Sequence, residues 1–191
     1  AVADLLGRGG HDGDTIADEA KPEDKVKLKI EVESLFDKSV EDIKVEDIEI
    51  EATVKDIDDG DDLEDLEADE ASFDLKPGKD KELQIEFAVP FIADEGDYEI
   101  LLTAEGEDEN GATHTATMTL TLTVELEKHD VRITGAKLSK PALSCAPRTT
   151  VLDLTVQNYG NEDQDEVKFT VSNSDLGLFF EQKEIELESD R

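Results

Sequence analysis

The sequence predicts an all-β chain: tandem immunoglobulin-like antiparallel β-sandwiches, the second of them incomplete. Three observations carry this. Apolar residues recur with a period of two along most of the chain, short turn-forming clusters separate those stretches, and no stretch shows a convincing helical period. The alternation is plainest in ATHTATMTLTLTVEL (112–126), where Ala116, Met118, Leu120, Leu122 and Val124 alternate with Thr115, Thr117, Thr119, Thr121 and Thr123.

In chain order, residues 1–14 read as a flexible tail and AKPED (20–24) as the turn before the first strand. KVKLKIEV (25–32) sends Val26, Leu28, Ile30 and Val32 to one face. IKVEDIEIEATV (43–54) starts in odd phase at Ile43 and Val45 and continues in even phase at Ile48, Ile50, Ala52 and Val54. The slip near Glu46 and Asp47 predicts a β-bulge or a break between two short strands. KPGK (76–79) is the turn between SFDL and ELQIEFAV (82–89), whose Leu83, Ile85, Phe87 and Val89 face inward. DYEILLTAE (97–105) follows, with Tyr98, Ile100, Leu102 and Ala104 inward. ENG (109–111) turns it into the threonine strand, which predicts a hairpin. The first sandwich then occupies about residues 15–127.

A second unit begins near KHD (128–130), itself read as a short charged linker, and runs over 128–191. VRITGAKLS, TTVLDLTVQN, DEVKFTVSN and GLFFEQKEIELES are its four strands. An immunoglobulin-like sandwich takes about seven strands and about 100 residues. The expectation is therefore a partial module, cut from a longer chain or completed by a neighbour, with Val167, Phe169, Val171, Phe179 and Phe180 on faces that need covering.

Charge narrows the function classes. With 52 acidic and 19 basic residues the formal charge is -33, which argues against nucleic-acid and anionic-membrane partners and leaves cationic ones open. No run of 18 apolar residues exists, so no membrane-spanning helix or direct membrane insertion is expected. AVADLLGRGG has the pattern of neither a signal peptide nor a transit sequence, so any targeting segment is expected to lie outside this sequence. Lysine outnumbers arginine fifteen to four, and lysines alternate with apolar residues in the first strand, which fits ordinary sheet surface better than salt adaptation.

The candidate for chemistry is DIDDGDDLEDLEADE (56–70), ten carboxylates in fifteen positions. Ca²⁺ takes six to eight oxygen ligands, and carboxylates around a glycine could supply them; Asp58, Asp59, Asp61 and Asp62 flank Gly60 and are the ligands if a metal binds. The EF-hand spacing fails, because placing Gly60 at its sixth position puts Lys55 and Ile57 at ligand positions and Leu66 where the bidentate glutamate belongs. A solvated acidic loop attracting cations diffusely is the plainer reading. His11, His114 and His129 lie in the tail, in a strand and at the domain junction, without any metal or nucleophile motif, so no catalytic residue and no cofactor is assigned. His114, in phase with Ala112 and Ala116, reads as a partly covered strand-end histidine.

The serial order of EAKPEDKVKLKIEVESLF, EATVKDIDDGDDLED, FDLKPGKDKELQIEFAVP, GDYEILLTAEGEDENGATHTA, EKHDVRITGAKLS and SCAPRTTVLDLTVQNYGNEDQDEV resembles archaeal S-layer proteins with tandem immunoglobulin-like modules related to the cell-adhesion-related bacterial domain, CARDB. The resemblance covers roughly residues 13 to 190. It implies an extracellular, cell-surface structural role, with other copies of the chain or neighbouring domains of a longer chain as partners. The sequence holds no N-glycosylation acceptor, which departs from a surface glycoprotein. Cys145 reads as an apolar filler or exposed thiol; the resemblance implies that a partner cysteine would lie in the rest of the module.

The function expected is thus a non-catalytic spacer or self-assembling lattice or filament element. A Ca²⁺- or glycan-binding adhesion module, acting through loops at one end of a sandwich, is the alternative.

Overall fold

The protein is described here by a computed structural model covering residues 4–7, 14–15, 19–37, 39, 43–58, 63–140, 142 and 149–189. It is all-β. Two compact units divide the chain, residues 1–125 and residues 126–191.

The first unit holds strands β1 (Asp4–Gly7), β2 (Asp14–Thr15), β3 (Lys25–Glu33), β4 (Val45–Asp58), β5 (Leu63–Leu75), β6 (Asp80–Ala88), β7 (Gly96–Asp108) and β8 (Thr113–Val124). They form a three-stranded sheet in the order β1-β3-β6 and a five-stranded sheet in the order β2-β8-β7-β4-β5. Every pairing is antiparallel except that of β2 with β8, which is parallel. Alternation builds the sandwich between them. Val26, Leu28, Ile30 and Val32 of β3 and Ile85 and Phe87 of β6 meet Ile50, Ala52 and Val54 of β4, Ile100, Leu102 and Ala104 of β7, and Met118, Leu122 and Val124 of β8 in one buried cluster. Each side chain of valine or leucine size in it contributes about 1.5–3 kcal/mol relative to remaining exposed. This is the immunoglobulin-like antiparallel sandwich that the period of two predicts.

Four features of this unit differ from, or sharpen, the reading of the sequence. The slip in β4 is a bulge within one continuous strand: pairing shifts between Val45 and Ile48, and Asp47 takes a φ of 51°. Part of the stretch read as a tail is paired, Asp4–Gly7 with β3 and Asp14 with β8, where Thr15 continues the pairing. The acidic run is mostly ladder rather than loop, since its start lies in β4 and Leu63–Glu70 belong to β5, an edge strand paired with β4 over Leu63–Leu75. Backbone groups make that ladder, so the density of carboxylates does not prevent it. On β8, Thr119, Leu120 and Thr121 are all half-buried, so the alternation of cover is blurred at mid-strand.

The second unit holds β9 (Val131–Leu138), β10 (Leu152–Asn158), β11 (Gln164–Asn173) and β12 (Leu178–Leu187), arranged as two separate two-stranded antiparallel sheets, β9 with β10 and β11 with β12. Among its described strand residues only Asn158 is buried, while Ile133, Leu152, Leu178 and Phe180 are exposed. The KHD stretch read as a linker is tied into this unit. Tyr159 N donates to Asp130 O at 2.7 Å, Asn161 N to Glu127 O at 3.0 Å, and Lys128 Nζ lies 2.9 Å from Glu162. Gly160 makes this possible, because a Cβ there would come within 2.6 Å of Lys128 O.

Candidate functional site

The acidic run gives no site among the described residues. Asp58 ends β4, its side chain outside the description, and Asp59, Asp61 and Asp62 lie outside the described residues, as do His11 and Cys145. Among the described residues no group of three or more His, Cys, Asp or Glu side chains is placed to hold a metal ion. His129 sits in the second unit, its Nδ1 3.1 Å from Gln164 Oε1.

What the structure does assemble is one end of the first sandwich, around His114. The β7–β8 hairpin closes through Asp108, whose Oδ1 accepts from Asn110 N at 2.8 Å and Ala112 N at 3.1 Å, with Gly111 at a φ of 75° completing the turn. The other carboxylate oxygen of Asp108 lies 3.1 Å from His114 Nε2. This hydrogen bond first, and the amides of Ala112 and Asn110 with it, hold the Asp108 carboxyl below the usual aspartate range. The Phe36 ring meets the imidazole edge-on, with centroids 5.3 Å apart. Opposite His114 across the ladder is Gly106.

Between these groups and the segment that follows β3 lies a shallow recess lined mostly by apolar side chains, among them Phe36, Val45, Ile48, Leu75 and Ala104, with Ser34 in its wall. Ser34 is fixed by its backbone, its N donating to Lys79 O at 2.8 Å and its O accepting from Gly78 N at 3.0 Å. Its Oγ is buried and meets no hydrogen-bonding group of the described residues. The arrangement orders a turn, caps the core and leaves one hydroxyl for a small polar group or a water to satisfy. Of Asp108, His114, Phe36 and Ser34 the sequence singled out His114 alone, while Val45, Ile48 and Ala104 carried the strand alternation. Asp108 carried a usable signal, an aspartate directly before the ENG turn, where such side chains bond to the backbone two residues on.

At the opposite charge extreme, Glu125 has its carboxyl pushed up, first by the charge of Glu19, then by desolvation and by a hydrogen bond to Glu19, with Glu95 adding to the effect. Lys44 bridges Glu46 at 2.9 Å and Asp74 at 2.7 Å and pins β4 beside the bulge to β5.

No protein-family model and no curated protein sequence matches the chain. Among solved structures, it is similar to the ASH/PapD-like domain 7 of human CEP192, at 16% identity and a TM-score of 0.41, over 64% of this chain and 84% of that one. It is similar to Spo0M, a sporulation control protein from Bacillus subtilis, at 12% identity and a TM-score of 0.36, over 98% of this chain and 89% of that one. It is also similar to a family 123 glycoside hydrolase from Clostridium perfringens, at 12% identity and a TM-score of 0.35, over 66% of this chain and 28% of that one.

Proposed function

We propose that the chain is a non-catalytic structural module of an extracellular, cell-surface protein of S-layer type, a spacer or lattice element that transmits tension along β-ladders. One observation supports this above the others. The entering strand β2 runs parallel to β8, the strand from which the chain leaves the first unit, with Asp14 opposite Leu120 and Thr15 opposite Thr121. The contact continues at Ala20, whose N donates to Thr123 O at 2.9 Å and whose O accepts from Glu125 N at 2.8 Å. Tension applied through the two ends of this unit pulls parallel neighbours in opposite directions along their axes. The connecting hydrogen bonds are then loaded together in shear, whereas an antiparallel hairpin pulled at its open end unzips one bond at a time. Each bond contributes only about 1 kcal/mol net at equilibrium, so a difference in forced unfolding lies in the rate and not in the stability.

The experiment is single-molecule stretching of the chain with handles at residues 14 and 125, compared with handles at residues 96 and 124, the open end of the β7–β8 hairpin. The first direction should need a clearly higher unfolding force. Ala20→Pro, which removes the donor to Thr123, should lower it. Equal forces in the two directions would sink the reading.

A further inference from the structure

We propose that Lys81 guards a sheet edge: it keeps β6, which ends the three-stranded sheet among the described residues, from pairing with a strand of another chain. The inference does not involve the parallel contact of β2 with β8, so it stands or falls separately from the mechanical reading. The two edge strands β5 and β6 differ in how they resist pairing. The ladder between β4 and β5 shifts register at three places, and β5 carries six carboxylates and no basic residue between Leu63 and Leu75. Irregularity and like charge both discourage a further strand there. By contrast β6 is regular. Its nine residues, Asp80–Ala88, pair with Lys25–Glu33 without any shift, and none of them is proline. Of its outward carboxylates, Glu86 is already bridged by Lys25 at 3.2 Å and Lys27 at 2.8 Å. A long, regular edge of this kind is a template for another chain.

Lys81 interrupts the apolar row of this strand. Leu83, Ile85 and Phe87 face the sandwich at successive odd positions, Leu83 packed against the core and the other two buried in it. Lys81 holds the next place in the same phase, opposite Val32, which is fully buried. The pattern calls for an apolar side chain at this place, and a lysine stands there. Its Nζ lies 4.0 Å from the centroid of the Phe73 ring of β5, a contact that reaches from one sheet to the other. The ring is half-buried while Lys81 as a whole stays exposed, so the ammonium covers an apolar face and keeps its water.

A strand added outside β6 would set its own inward side chains beside Lys81, Leu83, Ile85 and Phe87. Position 81 would then be enclosed between the new strand, Val32 and Phe73, and the ammonium would lose its water against apolar neighbours. An apolar residue at the same position would instead lengthen the buried row and favour the pairing. The barrier that Lys81 raises is one of desolvation, so dissolved salt does not remove it. Repulsion between exposed carboxylates is different, because salt screens it.

The test is sedimentation velocity of the whole 191-residue chain at about 1 M NaCl, where the screening length falls to ~3 Å and the net charge of -33 no longer holds copies apart. Lys81→Leu should associate at concentrations about tenfold or more below those the unaltered chain needs. Hydrogen exchange should place the accompanying gain in amide protection within Asp80–Ala88. Lys81→Arg, which keeps a cation able to stack on Phe73, should behave as the unaltered chain does. So should Lys76→Leu, which makes the same change of charge and apolarity in the exposed turn before β6. Because Lys81→Leu can also associate by unfolding, its thermal midpoint is measured alongside. If that midpoint collapses, Lys81→Gln decides, since it removes the charge without adding an apolar side chain and should associate to an intermediate extent. The proposal is overturned if the folded variant at position 81 associates no more than the unaltered chain, if Lys76→Leu associates as strongly, or if the new protection lies outside β6.

Discussion

A Cβ added to Gly106 would stand 3.0 Å from the carbonyl oxygen of Glu46, and the bulge of β4 occupies the space that the missing side chain leaves. The same Cβ would meet Ile48 Cγ1 at 2.8 Å and Val45 Cγ1 at 3.0 Å. Backbone cannot retreat as a side chain tip can. Gly106→Ala should therefore destabilise the first unit by about 1–3 kcal/mol in urea unfolding. Gly96→Ala is the control, since nothing lies within 4 Å of its added Cβ. Equal effects at the two positions would show that conformational freedom, and not the close approach, decides.

Two carboxyls give the stability opposite slopes with pH. Asp108 is held below the ordinary aspartate value of 3.8, first by His114 and then by the amide of Ala112. A folded value below the unfolded one adds stability above the unfolded value, and that stability is lost as the pH falls through the folded value. Glu125 is pushed above the ordinary glutamate value of 4.5, chiefly by Glu19. Its contribution is full below 4.5 and is lost as the pH rises through the raised folded value. Thermal midpoints should therefore pass through a maximum in mildly acidic solution. Asp108→Asn should flatten the decline on the acid side, and Glu125→Gln the decline on the neutral side. If either variant keeps the full slope, the corresponding contact does not set it.

Leu122 is buried in the first core, and Thr121 beside it is half-buried on the other face of β8. Leu122→Ala should cost about 2–5 kcal/mol and Thr121→Ala distinctly less, measured by denaturant midpoint at constant slope. Equal costs would mean that β8 carries its load on both faces.

The alternation that identifies Leu122 also made most of the fold legible from the sequence. Where a strand is covered on one face only, its side chains record the face, as in Val26, Leu28, Ile30 and Val32. Edge strand β5 was hidden because its carboxylates look like loop, although the ladder to β4 uses backbone groups that any residue supplies. The end of the sandwich was legible only in part. His114 stands out as a rare residue, but Phe36 reaches its ring from a segment 78 positions earlier, and no local pattern reports such a contact. The recess beside them depends on Gly106 lying opposite His114, a relation of register between strands rather than of sequence.

Register also places like charges face to face, and this sets the response to salt. Glu49 lies opposite Glu105, Glu46 opposite Glu107 and Glu31 opposite Glu82. Such pairs are destabilising where they are directly opposite, and a net charge of -33 adds a general repulsion. Added salt should raise the thermal midpoint, and Glu49→Lys should raise it by a few degrees at low salt and by less at about 1 M, where the screening length is only ~3 Å. The acidic run that contains Asp58, Asp59, Asp61 and Asp62 adds to the same negative charge by sequence. A diffuse cloud of cations relieves repulsion in proportion to ionic strength, whereas coordination by a few carboxylates distinguishes Ca²⁺ from Na⁺. A site with a dissociation constant of about 0.1–1 mM would add roughly 1.4–2.7 kcal/mol at ~10 mM Ca²⁺. The expected result is instead equal stabilisation by CaCl₂ and NaCl at matched ionic strength, unchanged when those four aspartates become asparagine apart from a smaller dependence on salt. A Ca²⁺-specific gain that disappears in the asparagine variant would establish the coordinated site and displace the screening account.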